Sequence, residues 1–483
     1  YSWFATPWGE NAVSQKITEE TGVNINFITP IGNETEKLNA LIASDSLPDL
    51  ITLGYWEPQV NQMIEENMVY ALNELADDYD AYFWQVTDAD VVNWYTMDDG
   101  NIYGYPCSTV TPKQVKEHDD ITSNQTFLVR KDIYEAIGSP DMTTPEGFKA
   151  AVEKAAEMFP EVDGERLIPV GSHVFDNQGN VSFDKYLMNF LAVPWEKDGK
   201  YYDRYTDPEY VIWLKMFREL GEEGLLANDI FVDTRIQMEE KLAKGRYFCM
   251  LYQYSDTISQ QKALYENDPD SIYMAVEGPR NSNGDDPTLP TNNVNGWTLT
   301  LISKNCKYPE RAIAFMDYMM SEHGQMLIYL GVEGVTYDIV DGKPVLKEDV
   351  SKILNSDRET YDRLYGADDA YWMLQNNVMQ LQWKQKAGPA TEQLLVWACK
   401  YTVYNGQYDV SLSTSPEIAA MDEKCTKLWS ETLPKLLLAS NEAQFDEIFE
   451  EFVEKRNAMG YQEVLKQKTV LMNAAKEKMG ISE

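Results

Sequence analysis

Residues 295–325 (NGWTLTLISKNCKYPERAIAFMDYMMSEHGQ) place a strand, a proline-started helix and a capped helix in immediate succession, which constrains the fold more than any other stretch. Alternation over residues 297–302 predicts the strand. Pro309 can open the first helix, because proline tolerates the first helical position. Ser321 can cap the second helix and Gly331 can end it. The segment therefore predicts a sheet covered by helices.

The same alternation of strands and helices recurs through the first part of the chain. Strands are predicted at residues 23–27 and 50–53, and Tyr1 is expected to lie in or just before another. Asn33 with Glu36 predicts a capped helix, and residues 60–66 predict the next one. This pattern is typical of an α/β lobe. A chain of 483 residues exceeds what one core usually supports, so two or more lobes are expected, with a mostly helical region from Pro416 onward.

Charge and aromatic content limit the classes of partner. Lys and Arg number 41 against 79 Asp and Glu, giving a net charge of −38. Nucleic acids and anionic membranes are poor partners for such a chain, since both are bound mainly through Lys and Arg. The 12 Trp and 30 Tyr outnumber the 16 Phe. Rings with a polar edge suit half-hydrated surfaces, including grooves that bind sugars.

The few cysteines and histidines give no metal or redox motif. The five Cys (107, 249, 306, 399 and 425) and three His (118, 173 and 323) form no CxxC or HExxH spacing. We therefore expect no metal and no cofactor, and most thiols are expected to be buried as small apolar groups. No apolar run is long enough to span a bilayer, so any export signal or lipid-bearing Cys is expected upstream of Tyr1.

Several ordered segments resemble the family 1 extracellular solute-binding proteins, the sugar-capturing subunits of bacterial ABC importers. Besides residues 295–325, they are 43–51 (ASDSLPDLI), 102–106 (IYGYP), 127–132 (FLVRKD) and 143–148 (TTPEGF), where Thr144 can cap a helix with Pro145 in its first turn. The resemblance covers roughly two thirds of the chain and includes relatives that bind aldouronate, alginate oligosaccharides and maltose.

This resemblance implies an α/β, two-lobe, periplasmic-binding-protein-like fold of type II, with interrupted lobes and a helical C-terminal extension. The N-terminal lobe would contain residues 1–110 and 298–333. The C-terminal lobe would contain residues 126–295 and 334–483. Crossings between lobes are expected near residues 107–126, 293–299 and 332–337, with solute held in the cleft between the lobes.

Ligands of open α/β sheets bind beyond the carboxyl ends of strands, and this rule selects aromatic residues that follow strands. The resemblance and the need for polar groups that orient hydroxyls add further candidates. The candidate ligand-binding residues are Trp8, Glu10, Tyr55, Trp56, Arg130, His173, Tyr252, Tyr254, Asn295, Trp297, Tyr371, Trp372 and Trp383. Trp8 and Glu10 are expected after the first strand. The alternative for each lone aromatic is ordinary packing, Arg130 could instead pair with Asp132, and His173 could be a loop residue without a ligand.

One loop departs from the family pattern. Many relatives carry a calcium loop of the Asp-x-Asn-x-Asp type before the strand that ends in Ile-Pro. Here residues 160–169 read PEVDGERLIP, so the alternating oxygen ligands are largely lost. We therefore expect no structural calcium at this loop.

The resemblance implies non-catalytic capture of an oligosaccharide and its delivery to the permease subunits of an ABC importer. The protein would be a monomer tethered by a lipid anchor at the extracellular face of the cytoplasmic membrane, or periplasmic. Two alternatives stay open: a glycan-active hydrolase or lyase, and a subunit that binds peptide or another solute. Net charge favours a neutral glycan over a uronate, although one or two local Arg or Lys residues could outweigh it at short range.

Overall fold

The computed structural model describes residues 1, 3–31, 33–385, 387–412 and 414–481. The chain divides into two compact units. Unit 1 contains Tyr1–His118, Asn292–Gln385 and Lys476–Glu483, and unit 2 contains Asp119–Thr291 and Lys386–Ala475. Each unit is thus built from segments that are far apart in sequence.

Helices α1 to α22 are, in chain order, Ala12–Thr21, Glu34–Ala43, Pro58–Glu65, Leu72–Tyr79, Phe83–Val86, Ala89–Tyr95, Pro112–Glu117, Lys131–Ala136, Pro145–Met158, Leu187–Phe190, Pro208–Glu222, Arg235–Ala243, Ile258–Asn267, Pro309–Met320, Glu322–Leu330, Glu348–Ser356, Arg358–Leu364, Asn377–Gln380, Pro389–Cys399, Pro416–Leu437, Glu442–Ala458 and Tyr461–Met479. Strands β1 to β15 are Leu50–Gly54, Gly104–Pro106, Gln125–Arg130, Glu161–Val162, Glu165–Arg166, Ile168–Gly171, Glu196–Lys197, Lys200–Tyr201, Tyr247–Gln253, Tyr273–Ala275, Leu289–Pro290, Thr298–Ile302, Tyr337–Val340, Lys343–Leu346 and Thr402–Val403. In the described residues no helix is both long and apolar enough to cross a membrane.

The main sheet of unit 1 has the strand order β1-β12-β2, and both pairings are antiparallel. Its central strand β12 is buried along its whole length, as a strand covered on both faces must be. Helix α14 follows directly and buries Phe315, Met316 and Met319 at helical spacing. Unit 1 is therefore held together by β12 and α14, which lie in the stretch that the sequence singled out.

The main sheet of unit 2 has the order β10-β3-β9-β6. Strand β6 runs parallel to β9, whereas β3 runs antiparallel to it. Six of the seven residues of β9 are buried, and a single apolar core surrounds this strand and includes residues of α9, α11 and the C-terminal helix α20. The predicted helical region from Pro416 is confirmed by α20, α21 and α22.

Three helix caps predicted from the sequence are confirmed. The Asn33 side chain accepts a hydrogen bond from the Glu36 N–H at 3.1 Å. Thr144 accepts one from the Gly147 N–H at 3.1 Å, and Ser321 accepts one from the Gly324 N–H at 3.1 Å. Each cap satisfies a backbone donor that the first helical turn leaves unpaired, which is why such short polar residues mark helix starts.

Two predicted strands at the start of the chain are wrong. The described residues among 1–11 contain no strand, and neither do residues 23–27. Val23, Ile25 and Phe27 do pack partly buried against the core of unit 1. They alternate because one side of an extended segment lies on that core, but the segment lies outside the three-stranded sheet.

The predicted division of the chain also needs a correction. The first boundary, between residues 118 and 119, lies inside the predicted range 107–126, and the second, between 291 and 292, falls just before the predicted range 293–299. The third boundary lies at residues 385 and 386 rather than near 332–337, and a fourth follows Ala475. Residues 334–385 belong to unit 1 because the core of that unit includes Val350, Tyr361 and Tyr371.

Candidate functional site

The end of β1 and the start of β12 lie at the same edge of the unit 1 sheet. Gly54 at the end of β1 pairs with Thr298 at the start of the antiparallel strand β12. Tyr55 and Trp297 are the next residues outward on these strands, so both emerge at this edge. The Trp297 N–H donates to the Cys107 carbonyl at 3.0 Å, which fixes the backbone that carries the indole.

Three indole rings and one phenol ring assemble at this edge into what we call the aromatic shelf, formed by Tyr1, Trp3, Trp297 and Trp372. The Trp3 and Trp297 ring planes differ by 7° at a centroid distance of 6.0 Å, and Tyr1 and Trp297 differ by 10° at 5.9 Å. Trp372 lies 4.4 Å from Trp297 and 5.6 Å from Trp3. Trp3 is 57% exposed and Trp297 is partly exposed. The near-parallel rings offer apolar faces with polar edges.

Trp372 is the buried member of the aromatic shelf. It begins the short 3₁₀ turn Trp372–Leu374 and is buried. Its Nε1–H is buried and has no hydrogen-bond acceptor among the residues that the structure describes. Buried indole N–H groups usually find an acceptor, so this donor is free to pair with a polar group that approaches the shelf.

A second aromatic pair follows β1. The Tyr55 and Trp56 rings are perpendicular, with centroids 5.2 Å apart at 87°. Trp56 is 48% exposed, and its ring lies so close to Gly54 that an added Cβ there would come within 2.7 Å of it. Glycine at position 54 therefore lets this indole fold back over the strand end.

The other residues predicted in unit 1 have structural partners. The Trp8 ring packs edge-on against Tyr371 at 5.0 Å, and its Nε1–H donates to the Thr18 hydroxyl at 2.9 Å. Tyr371 is 1% exposed, accepts from Asn11 Nδ2 at 2.6 Å and donates to the Pro7 carbonyl. Asn295 accepts from Trp94 Nε1 at 2.7 Å, and Trp383 is buried against Leu330 and Tyr337, whereas Glu10 is exposed. These contacts tie Trp8, Tyr371, Asn295 and Trp383 into unit 1, and a ligand role for them stays a prediction.

Unit 2 presents a polar edge where β6 and β9 end and β3 begins. Parallel strands have their carboxyl ends at the same side of a sheet, so His173 after β6 and Gln253 at the end of β9 come together. His173 Nε2 donates to Gln253 Oε1 at 3.0 Å. The same oxygen accepts from the Tyr186 hydroxyl at 2.6 Å, and Gln253 Nε2 donates to Asp256 at 2.6 Å.

Burial and nearby charges determine which side chains of this edge are charged at neutral pH. Burial lowers the pKa of His173 to about 4, only partly offset by Asp256, so the ring is neutral at neutral pH. The His173 ring lies 4.4 Å from that of Tyr252, whose buried hydroxyl has no partner among the described residues. Arg235 pairs with Asp256 and Glu239. The edge therefore carries neutral hydrogen-bonding groups next to one arginine that is paired with two carboxylates.

Two predicted residues of unit 2, Arg130 and Tyr254, form hydrogen bonds within that unit. Arg130 is buried, pairs with Asp132 at 3.0 Å and donates to the Gly245 carbonyl. This is the alternative that the sequence left open for it. The Tyr254 hydroxyl lies 3.2 Å from the Thr122 hydroxyl, and the Tyr254 N–H donates to the Asn124 carbonyl at 3.0 Å. Contact of either residue with a ligand stays a prediction.

Some residues of these two edges were missed. Tyr1 was expected in or just before a strand and Trp3 just after that strand, and neither was among the candidate ligand-binding residues. Tyr186 comes from the π-helical turn Ser182–Tyr186, which has no recognisable sequence signature. Gln253 was the one that could have been found, because it directly follows the apolar run of β9.

A hairpin occupies residues 161–166, the loop at which the sequence predicted no structural calcium. Strands β4 and β5 pair, and Asp163 and Gly164 form the turn between them at φ 50° and 79°. Glu165 forms an ion pair with Arg246 at 3.0 Å. Among the described residues no group of three or more His, Cys, Asp or Glu could hold a metal ion. None of the five cysteines forms a disulfide, and four of the thiols are buried, as predicted, whereas Cys399 is exposed.

Comparison with known proteins identifies the family. Residues 12–349 match the family described as bacterial extracellular solute-binding protein. LipO, a lipoprotein of Bacillus subtilis strain 168, is 22% identical over 334 residues, which cover 65% of this chain and 61% of LipO. The polygalacturonan/rhamnogalacturonan-binding protein YtcQ of the same strain is 21% identical over 384 residues, which cover 77% of this chain and 73% of YtcQ.

A solved structure shows the same fold. The Streptococcus pneumoniae ABC-transporter substrate-binding protein FusA, in complex with kestose, superposes with a TM-score of 0.73 over 97% of this chain and 96% of its own, at 14% identity. At that identity the likeness concerns the fold alone. It confirms the predicted class, the α/β fold of two-lobe solute-binding proteins.

Proposed function

We propose, from the premise that this chain belongs to the bacterial extracellular solute-binding proteins, that it captures an oligosaccharide and delivers it to the permease of an ABC importer. The family match covers more than half of the chain and fixes the class of protein. The identity of the solute has to come from the chemistry of the two sheet edges.

The aromatic shelf is the single observation that carries the proposal. Sugar rings have apolar C–H faces edged by hydroxyls, so they stack on flat indoles while their hydroxyls stay hydrated or bonded. Trp3 and Trp297 supply such a surface, and Trp372 adds a free Nε1–H beside it.

The polar edge of unit 2 supplies the second kind of group that saccharides need. His173, Gln253 and Tyr186 are neutral and already hold one another in place, so they can bond to hydroxyls with little loss of side-chain freedom. We propose ligand contact for His173, Tyr55, Trp56, Trp297 and Trp372 among the predicted residues.

The printed names of the relatives agree with this class of solute. YtcQ is named for binding polygalacturonan and rhamnogalacturonan, and FusA was solved in complex with kestose. LipO is named a lipoprotein, in line with a lipid anchor for this protein at the outer face of the cytoplasmic membrane. We further propose a monomer that binds without turnover.

The test is binding and product analysis on the same samples. A panel of neutral and acidic oligosaccharides is screened by thermal shift, and the best binders are measured by calorimetry. We expect saturable binding at one equivalent and unchanged oligosaccharide by chromatography after long incubation. Cleavage beyond one equivalent that is lost on replacing one carboxylate would overturn the proposal, and so would a panel with no binder.

A further inference from the structure

Arg204 of unit 2 lies in an aromatic niche without a counter-ion. It starts the 3₁₀ turn Arg204–Thr206 directly before α11. Its guanidinium lies over the Trp195 ring at 4.7 Å, and Trp195 in turn stacks on Tyr408 at 5.6 Å and 10°. Nη2 donates to Asn189 Oδ1 at 2.8 Å. Within the described residues, Nη1 and Nε have no acceptor and no carboxylate pairs with this arginine.

The nearest carboxylates in sequence are committed elsewhere. Asp203 is held by both terminal nitrogens of Arg456. Asp207 accepts from the Tyr202 hydroxyl at 3.1 Å and caps α11 through the Glu209 N–H at 2.9 Å. Arg204 therefore forms no ion pair with a carboxylate of the described residues, and Asp207 acts on it only through its charge. The chain carries 79 acidic residues, so carboxylates are not scarce.

The other arginines of this kind do have counter-ions. Like Arg204, four other arginines have a buried Nε–H without an acceptor. Each of these four forms an ion pair with a carboxylate: Arg130, Arg218, Arg246 and Arg456. Burial lowers the pKa of Arg204 to about 10, which leaves it charged at neutral pH. Burying a charge without an ion-pair partner costs free energy. An anion that bound to Arg204 would offset this cost.

Hydrogen bonds connect Arg204 to the polar edge. Asn189, its acceptor, donates through Nδ2 to Gln125 Oε1 at 3.0 Å. Gln125 is the first residue of β3 and pairs with Gln253 across the sheet. Two hydrogen bonds thus link the guanidinium to Gln125, whose strand partner Gln253 holds His173.

We propose that Arg204 binds the carboxylate of an acidic sugar residue, so that the preferred solute is an oligosaccharide that contains hexuronate. This inference rests on the proposed function and names the substrate class within it. A guanidinium presents planar N–H donors that match a carboxylate, and a charge-assisted pair of this kind is stronger than a bond to a neutral hydroxyl. The net charge of −38 does not oppose it, because salt screens charges beyond about 10 Å, whereas a carboxylate at Arg204 would lie within contact distance.

The test uses two ligands of one skeleton, tri-galacturonate and its fully methyl-esterified form, in which a methyl group removes the charge of each carboxyl. Calorimetry compares the wild type with Arg204→Gln and Arg204→Lys, and Arg363→Gln, an exposed arginine of unit 1, is the matched control. We expect Arg204→Gln to lose about tenfold to hundredfold in affinity for the acid, Arg204→Lys to lose less, and the ester to bind all four proteins alike. Melting curves identify any variant that fails to fold.

A second measurement needs no variant. Wild-type affinity for the acid is expected to fall between about 0.05 M and about 0.5 M salt, while affinity for the ester stays level. The inference is overturned if the wild type binds the ester as tightly as the acid, if salt affects both alike, or if folded Arg204→Gln keeps its affinity for the acid. If the wild type binds neutral but no acidic saccharides, this inference falls and the proposed function stands; if it binds no saccharide, both fall.

Discussion

The indole ring of Trp372 lies 4.4 Å from that of Trp297, although the two residues reach the same sheet edge from distant parts of the chain. Trp297 is placed by the start of β12, and Trp372 by a 3₁₀ turn in the segment that packs back onto the unit 1 core. The buried Trp372 ring packs against the partly exposed Trp297 ring at 35°. The proposed ligand surface thus has one ring of the pair held in place by the unit 1 core.

Replacing Trp297 by alanine is expected to weaken oligosaccharide binding by about 1–3 kcal/mol, or roughly tenfold to hundredfold. The reason is loss of the central ring of the aromatic shelf. Trp3→Ala is expected to act in the same direction with less effect on stability, since Trp3 is 57% exposed. Calorimetry measures the affinities.

The control is Trp84→Ala, which removes an indole of unit 1 that is 41% exposed and bonds to Asp77. It is expected to bind like the wild type. Equal affinities for Trp297→Ala and Trp84→Ala, with both proteins folded, would remove the shelf from the ligand site.

Asp317→Asn is expected to stabilise the protein at high pH. Both Asp317 carboxyl oxygens are buried without a hydrogen-bond partner in the described residues. Burial, then repulsion from Asp80, raise the pKa of Asp317 from its usual 3.8 to about 8. From about pH 4 to about pH 8 the unfolded chain has lost this proton and the folded one keeps it, so the wild type loses stability as pH rises. Asp317→Asn has no carboxyl proton at this position, so its stability should not fall in this way as pH rises.

Thermal melts of both proteins at pH 4 and pH 8 check the effect. We expect near-equal stability at pH 4 and a gain of about 1–3 kcal/mol for Asp317→Asn at pH 8. Asp119→Asn, at an exposed position, should show no such pH-dependent difference. A constant offset at both pH values would mean that the carboxyl does not carry the pH dependence.

His173 should make the fold less stable in mild acid. Burial lowers the pKa of His173 from its usual 6.5 to about 4. As pH falls from about 6.5 to about 4, the unfolded chain takes up a proton that the folded chain does not, so stability falls. His173→Asn should flatten this part of the pH profile. His118→Asn, at an exposed site, should leave the profile unchanged, and identical slopes for all three proteins would contradict the prediction.

Chelators should leave the melting temperature unchanged. The loop that holds calcium in relatives is here a hairpin closed by the paired strands β4 and β5 and by the ion pair of Glu165 with Arg246. Melts with and without EDTA provide the measurement. A drop of several degrees that calcium restores would reveal a cation site that this hairpin does not account for.

Local signals in the sequence predicted local structure well. Thr144 and Ser321 cap their helices because a short polar side chain directly before a helical pattern has few other roles. The strand at residues 50–53 and the helix that Pro309 opens were predicted for similar reasons. Alternation of apolar and polar residues at 23–27 gave a wrong strand prediction. An extended segment that lies on a core shows the same alternation as a strand.

The candidate site was less accessible because its contacts join distant segments. Nothing near Trp372 in sequence indicates that it meets Trp297, and nothing near Arg204 indicates that Asp203 pairs with Arg456 instead. The boundary at residues 385 and 386 was missed for the same reason, since residues 334–385 join unit 1 through buried side chains and not through a local signal.

The strand order β1-β12-β2 has a consequence for biosynthesis. The two outer strands are made early, but the central strand that pairs with both is made only after the whole of Asp119–Thr291. Unit 2 likewise waits for Lys386–Ala475 to complete its core. Non-local pairing of this kind slows folding. Unit 1 therefore cannot assemble its core before Gln385 has been made, and unit 2 cannot do so before Ala475. A polypeptide that stays unfolded for that long can still pass through a translocation channel.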